Sequence, residues 1–166
     1  MSYPEATYLG EKGEVSATLR RSSAEPDLLI GPDGLGVRVH YLATTHSTNG
    51  QFGMYRWEFG PFATGPEPHF HRTMSESFYI LAGTVNLYDG ETWAKATAGD
   101  YLFVPEGGVH AFRNEEGEPA SMLLHFAPGA PREAYFEELA DNIAQGKQLT
   151  EEETLDLYRR HDQYRA

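Results

Sequence analysis

The stretch Pro68-His69-Phe70-His71-Arg72-Thr73-Met74-Ser75-Glu76 places two histidines and a glutamate close together in the chain. Alternate side chains of a β-strand lie on the same face, so His69 and His71 are predicted to project to one side of a sheet and Phe70 to the other. Glu76 follows a short polar connection and opens an apolar run. We therefore expect it at the start of an antiparallel neighbouring strand, facing the two histidines.

A third histidine lies in the later segment Gly99-Asp100-Tyr101-Leu102-Phe103-Val104-Pro105-Glu106-Gly107-Gly108-Val109-His110-Ala111-Phe112-Arg113-Asn114. A lone histidine is more often a hydrogen-bonded structural residue than a ligand, so the prediction rests on both segments together. Imidazole nitrogens and carboxylate oxygens suit first-row transition metals. The sequence predicts a metal site formed by His69, His71, Glu76 and His110; the alternative is a pocket that keeps these residues but retains no metal.

Both segments resemble the paired motifs of the cupin superfamily. The first reads H-x-H, four residues, E, six residues, G from His69 to Gly83, and the second matches G-x5-P-x-G-x2-H-x3-N at every fixed position from Gly99 to Asn114. The family's glycine before the first ligand would fall at Ala63, and we interpret this departure as a turn shifted to Gly65-Pro66-Glu67-Pro68. Both sequence segments are similar to those of single-domain bacterial proteins that resemble quercetin 2,3-dioxygenase.

The resemblance implies an all-β fold, the cupin double-stranded β-helix or jelly-roll barrel, followed by C-terminal α-helices. We expect a single domain over residues 1–166, with a barrel core at about 27–127 and a helical tail at about 131–165. Turn-separated apolar runs agree with many short strands. They are predicted at 27–30, 37–43, 52–59, 77–82, 85–88, 91–96, 101–104, 110–113 and 121–126, with a hairpin across Asn49-Gly50 and a two-residue loop at Asp89-Gly90.

The last part of the chain changes to a helical period. Apolar residues recur at helical spacing over 131–145, and Thr150-Glu151-Glu152-Glu153 has the pattern of a capping box that opens a second helix. Because amphipathic helices usually serve packing, we expect both helices on the outside of the barrel. The alternatives are a dimer contact or a contribution to the mouth of the pocket.

Strand parity also predicts which residues lie around the metal, and most of them are apolar or aromatic. A pocket with apolar walls favours a flat, largely apolar or aromatic ligand with a few polar groups that reach the metal. The alternative is that these side chains only fill the barrel core, as interior residues of small barrels do. The predicted substrate-pocket residues are Phe78, Ile80 and Phe112, with Met54, Met122 and Leu124 added as further candidates.

The composition limits which classes of ligand and partner the protein is expected to bind. The net charge of -12 disfavours nucleic acid and anionic membrane surfaces, and the absence of cysteine leaves only nitrogen and oxygen ligands for a metal. The chain begins without a secretory pattern, so a cytoplasmic location is the default expectation. Parity places Tyr79 and Leu81 on the outer face of their strand, and covering them suggests a homodimer.

The resemblance implies a metal-dependent small-molecule oxidoreductase, a quercetinase-like dioxygenase acting on an enolic or phenolic substrate. The cofactor would be a divalent transition metal (Fe, Mn, Ni, Co, Cu or Zn), with Glu76 as a ligand and as a catalytic base for the substrate proton; the alternative is that Glu76 is only a ligand that balances charge. Four ligands on an octahedral metal would leave two open positions. The alternatives are a non-redox metal-dependent isomerase, dehydratase or decarboxylase, and a non-catalytic small-molecule-binding protein, because the fold does not fix the reaction.

Overall fold

The computed structural model describes residues 3–32, 35–61 and 65–166. Short strands make up most of the described chain, and two helices follow them near the C-terminus. The elements are β1 (Leu28–Ile30), β2 (Val37–Ala43), β3 (Gly53–Phe59), β4 (His69–Phe70), β5 (Ser75–Ala82), β6 (Thr84–Tyr88), β7 (Trp93–Thr97), β8 (Tyr101–Val104), β9 (Ala111–Arg113), β10 (Ala120–Ala127), α1 (Arg132–Ala144), α2 (Glu151–Arg160) and β11 (Tyr164–Arg165).

The strands form a six-stranded and a three-stranded sheet that enclose the core, and β4 and β11 form a separate pair. The larger sheet has the order β1-β2-β3-β10-β5-β8 and the smaller has the order β7-β6-β9, with antiparallel pairing throughout. Phe112 of the smaller sheet joins them, because its ring contacts Trp57, Phe59 and Phe78 of the larger sheet at centroid distances of 6.1, 6.0 and 5.5 Å. The predicted all-β architecture with C-terminal helices is confirmed.

Two predicted hairpins have different outcomes. The hairpin of β2 and β3 is confirmed, and positive φ angles of 51° at Asn49 and 76° at Gly50 fit the residue types in its connection. The connection between β6 and β7 is longer than the predicted two-residue loop. The Asp89 amide donates to the Thr92 carbonyl, and the Asp89 carboxylate accepts from the Glu91 and Thr92 amides, so side-chain hydrogen bonds favour a wider turn.

The outer face of β5 and β8 carries exposed apolar side chains. Tyr79 and Leu81 are 43% and 39% exposed, while Phe78 and Ile80, which alternate with them along the strand, are fully buried, as parity predicts. Tyr101 and Phe103 of the neighbouring strand are also exposed. This face agrees with the reasoning behind the predicted homodimer, which stays a prediction.

Helix α1 lines the cavity, so the stated alternative of a contribution to the pocket applies to this helix, rather than packing on the outside alone. The ring of Phe136 lies 5.3 Å from Tyr55 and 5.1 Å from Trp57, and both of these side chains point into the barrel. The helix thus contributes to the interior, because its apolar stripe covers aromatic rings that the sheets leave open. Helix α2 begins as predicted: Thr150 and Glu153 form a reciprocal capping box. Among the described residues, no helix is long and apolar enough to cross a membrane.

Candidate metal centre

Four metal-competent side chains meet inside the barrel. One potential ligand atom from each of His69, His71, Glu76 and His110 lies within 4.8 Å of all the others. All four residues are buried, with exposed fractions between 0 and 3%. Isolated imidazoles and carboxylates are costly to bury, so a buried group of this kind calls for mutual or metal-based compensation.

The backbone brings these residues together differently from the sequence prediction. Strand β4 ends at Phe70, so His71 follows it instead of continuing it, and β4 pairs with β11 rather than with β5. His69 is instead bridged to His110 through reciprocal backbone hydrogen bonds of 3.0 and 2.9 Å. Glu76 lies near the start of β5, between β8 and β10. The predicted convergence therefore arises across several strands, because the short β4 has no room for a regular hairpin with β5.

A backbone carbonyl orients each imidazole. The Nδ1 atom of His69 lies 2.9 Å from the Glu67 oxygen, that of His71 lies 2.6 Å from the Asp162 oxygen, and that of His110 lies 3.0 Å from the Gly108 oxygen. A carbonyl oxygen only accepts, so each Nδ1 carries the proton that it donates. In a neutral imidazole this leaves a lone pair on Nε2, the arrangement by which proteins prepare a histidine for a metal.

The Nε2 atoms of two histidines face one carboxylate oxygen. Glu76 Oε2 lies 3.1 Å from His71 Nε2 and 2.8 Å from His110 Nε2. Unprotonated nitrogens and a carboxylate oxygen are all acceptors, so a cation among them, or a proton on each imidazole, is needed to make these contacts favourable. Three nitrogens and a carboxylate oxygen form a donor set that fits a divalent transition metal.

The pKa values of His69, Glu76 and His110 in the cluster are shifted in different directions. Burial, aided by the neighbouring His110, lowers the pKa of His69 to about 3, so His69 is neutral at pH 7. Burial alone would raise the pKa of Glu76, but hydrogen bonds from His110 and His71 outweigh it and hold that pKa below its ordinary value. Burial also opposes the charged form of His110, yet the contact with Glu76 raises its pKa. The glutamate is thus the anion of the cluster.

The C-terminal segment 161–166 braces this cluster from outside. The Asp162 carboxylate accepts hydrogen bonds from the Arg72 amide at 3.1 Å and from the Thr73 amide and hydroxyl at 2.9 and 2.7 Å. The same residue supplies the carbonyl that orients His71. The φ of Asp162 is 53°, a conformation that aspartate tolerates better than most residues. The segment also pairs β11 with β4.

A cavity of about 400 Å³ opens beside the cluster, with His69 and Glu76 in its wall. Of the predicted pocket residues, the structure places Phe112 and Leu124 in the cavity wall. Phe78, Ile80 and Met122 are buried in the core, where Phe78 lies 5.7 Å from the His110 ring. These three thus occupy the core-filling positions that were the stated alternative.

Met54 requires a correction. Burial alternates along β3 with Tyr55 and Trp57 inward, so Met54 lies on the opposite face, where it pairs with His125. Its neighbours on that face include Arg56 and Glu58, which form an ion pair of 2.9 Å away from the cavity. A single methionine does not fix the parity of a strand, whereas the two large aromatic residues do.

Several residues in the cavity wall were not predicted as site residues. They are Trp57 from β3, Arg132, Tyr135 and Phe136 from α1, and Gln163 from the C-terminal segment. The aromatic residues at helical spacing were a sequence signal, but nothing in that spacing gives the docking position of the helix. Gly65, also in the wall, is pressed so closely against the Phe112 backbone that a Cβ there would collide with it. This close approach fits the shifted turn inferred at 65–68, while Ala63 lies outside the described residues.

The comparisons with known proteins agree with this architecture. A family model described as the cupin domain matches residues 55–126, the segment that carries all four residues of the cluster and the strands from β4 to β9. Residues 55–126 are a cupin domain. The C-terminal helices and β11 lie beyond this match, and so does the part of the cavity wall formed by α1 and Gln163.

Individual cupins resemble the chain to different extents. Quercetin 2,3-dioxygenase of Bacillus subtilis is 30% identical over 119 residues, which are 72% of this chain and 34% of that enzyme. The chain thus spans about a third of the length of this curated relative. A predicted oxalate decarboxylase of Thermotoga maritima aligns with a TM-score of 0.59 at 21% identity, covering 67% of this chain and 99% of that one. A polyketide cyclase of Streptomyces resistomycificus aligns with a TM-score of 0.53 at 22% identity, covering 69% and 81%.

These relatives differ in the reactions that their names describe. The two solved structures share less than a quarter of their residues with this chain, so they show a common fold. The fold is therefore shared with these proteins, while the reaction is a matter for proposal.

Proposed function

We propose that this cupin is a metal-dependent small-molecule oxidoreductase, a quercetinase-like dioxygenase that acts on an enolic or phenolic substrate. His69, His71, His110 and Glu76 would hold one divalent transition metal of the series Fe, Mn, Ni, Co, Cu and Zn. The sequence similarity to quercetin 2,3-dioxygenase supports the choice of reaction class.

The observation that carries the proposal is the orientation of the three imidazoles. All three Nδ1 atoms are committed to backbone carbonyls, at 2.6 to 3.0 Å, and two Nε2 atoms point at the carboxylate of Glu76. Two acceptor nitrogens turned toward a carboxylate need a cation, or a proton on each imidazole, to make these contacts favourable, and a divalent metal ion meets this need for the whole cluster. A metal-binding cluster requires this arrangement.

The protein groups contribute binding and proton transfer. A bound transition metal supplies a Lewis acid and, where it is redox-active, a partner for O₂ chemistry. Glu76 lies in the cavity wall, so its carboxylate is placed to accept the proton of a substrate hydroxyl. Phe112 and Leu124 supply apolar surface against which a flat substrate can lie, and the buried position of the cluster keeps bulk water away.

Oxygen uptake tests the reaction class. With reconstituted protein and a flavonol such as quercetin, we expect uptake that requires both the metal and the substrate. Turnover of a substrate under strict anaerobiosis would favour the Lewis-acid alternative of isomerisation, dehydration or decarboxylation. Saturable binding without product across a broad panel of enols and phenols would contradict both enzyme proposals and favour a binding protein.

We further propose that the protein is a homodimer joined through the outer face of β5 and β8. Tyr79, Leu81, Tyr101 and Phe103 are all more than a third exposed, and β8 is an edge strand that a second copy could extend. Light scattering tests this proposal. We expect twice the 18.6 kDa chain mass for the wild type and a shift toward the monomer for a Tyr101→Lys, Phe103→Lys double variant. A monomeric wild type would overturn it.

A further inference from the structure

Three residues in the wall of the cavity beside the candidate metal centre each carry a buried hydrogen-bond donor. The Nε atom of Arg132, the Nε1 atom of Trp57 and the Nε2 atom of Gln163 have no acceptor within hydrogen-bonding geometry among the described residues. All three residues are in the cavity wall, and their exposed fractions are 4, 6 and 2%. A buried donor without an acceptor costs about 1–3 kcal/mol, so three such donors on residues of one cavity wall favour a ligand that supplies acceptors.

Arg132 makes this donor set cationic. It is the only arginine or lysine among the described residues that line the cavity, in a protein whose net charge is -12. Desolvation by burial lowers the pKa of Arg132, and the Glu76 carboxylate offsets part of that effect. An arginine stays charged even so, because its ordinary pKa is above 12.

The guanidinium is held in a fixed position. It donates to the His161 carbonyl at 2.7 Å and to the Gln163 side-chain oxygen at 3.3 Å. The rings of Tyr135, Phe126 and Phe136 lie 4.4, 5.2 and 5.6 Å from its central carbon. Two of its nitrogens are therefore anchored to the protein, which leaves Nε as a pre-organised donor.

We propose that the cavity binds a small organic acid with a flat aromatic or unsaturated body, and that Arg132, Trp57 and Gln163 hold its carboxylate. Carboxylate oxygens have the lone pairs that these donors lack, and an arginine nitrogen is a strong partner for them. The apolar wall then receives the body of the acid and directs it toward the four-residue cluster. This inference rests on the proposed function and assigns a substrate class to the same site.

Binding of cinnamate against the neutral cinnamamide tests the proposal. The chain has two tryptophans, so a Trp93→Phe variant leaves Trp57 as its sole tryptophan and as a fluorescent reporter in the cavity. We expect this variant to bind cinnamate at least about tenfold more tightly than cinnamamide, with a change in Trp57 emission. Equal affinity for acid and amide, or no binding of either, would overturn the proposal.

Two variants locate the preference at Arg132. Arg132→Met removes the charge and Gln163→Glu places a carboxylate beside the guanidinium while keeping the shape of the side chain; each is expected to abolish the preference for the acid. Arg159→Met, an exposed arginine of α2, is the matched control and should leave the preference unchanged. A preference that persists in Gln163→Glu would overturn the proposal. If Arg132→Met fails to fold by circular dichroism, Gln163→Glu decides the outcome.

The titrations are run on the chelator-treated protein and again after reconstitution with metal. A preference for cinnamate in the metal-free protein that disappears in Gln163→Glu supports the carboxylate site whether or not the metal proposal holds. Metal content, measured on the same samples, tests the proposed function separately.

Discussion

The barrel and the C-terminal segment contribute to one cavity by different means. The barrel supplies all four candidate ligands, and they come from residues 69–110. The segment 161–166 supplies no candidate ligand, but its Asp162 orients His71 from 91 positions away in the chain, and its Gln163 lies in the cavity wall. The comparison shows that the four candidate ligands are a local property of the cupin motifs. The acceptor that orients His71 and the polar side chain of Gln163 in the cavity wall come instead from a distant part of the chain.

The largest effect that separates the two regions is expected at Glu76. In Glu76→Gln the carboxylate is lost while the shape is kept, so turnover should fall by about 10²–10⁴-fold if the residue is the base. The measurement is oxygen uptake normalised to bound metal, and Glu118→Gln, an exposed glutamate, is the control. Near wild-type turnover with metal bound would show that Glu76 is not the base.

Removal of residues 161–166 tests the other half of the comparison. Without Asp162, His71 loses the acceptor of its Nδ1 proton, and second-shell losses of this kind weaken metal binding by about 10–100-fold. Competition with a chromogenic chelator measures the affinity. Deletion of residues 3–19, which are exposed throughout, is the matched control and should change nothing. Unchanged affinity after the C-terminal deletion would mean that the barrel alone organises the cluster.

A smaller effect is expected when only the Asp162 side chain is removed. Asp162→Ala deletes the acceptor of three hydrogen bonds and leaves a left-handed φ that alanine disfavours, so the free energy of unfolding should fall by about 1–3 kcal/mol. Urea unfolding measures it. Asp156→Ala, which breaks an exposed ion pair with Arg160, should cost less than about 0.5 kcal/mol. Equal losses in both variants would remove the special role of Asp162.

The smallest effect concerns pH at the junction of the two C-terminal helices. The hydrogen bond from Arg160, aided by one from His161, lowers the pKa of Glu138 to about 2 from an ordinary value of 4.5. Because the folded pKa is depressed, the stabilisation is present above pH 4.5 and is lost as the pH falls toward 2. For such an exposed group, Glu138→Gln should cost less than about 1 kcal/mol at pH 6.

Urea unfolding of wild type and Glu138→Gln at pH 6 and at pH 3 measures this dependence. The difference between them should shrink at the lower pH. A difference that grows as the pH falls would contradict the assignment. Glu152→Gln in the exposed first turn of α2 serves as the control.

The barrel side of the comparison was largely predictable from the sequence. Strand alternation and turn residues located β5, β6, β8 and β10 to within a few positions, because each depends on its own local pattern. The four candidate ligands follow from motif spacing for the same reason. Met54 was assigned to the wrong face because alternation shows which residues share a face of a strand but not which face is buried. The large aromatic residues Tyr55 and Trp57 mark the buried face of β3.

The C-terminal side was predictable only in its secondary structure. Helical spacing and a capping box gave both helices, but docking of Phe136 on the barrel aromatics depends on surfaces far apart in sequence. Likewise, nothing in the sequence distinguishes Arg132 and Gln163 from other polar residues of the C-terminal region. The fold buries both of them in the wall of the cavity that also contains Glu76. Their role is a tertiary property that no local pattern encodes.

Elemental analysis of the freshly purified protein, wild type against His71→Ala, tests the central claim most directly. We predict close to one equivalent of a transition metal per chain in the wild type and a loss of most of it in the variant. The exposed-histidine variant His46→Ala, as a control, should keep the wild-type content. Little metal in the wild type, even after anaerobic reconstitution, would contradict the metal centre and leave a metal-free binding cupin.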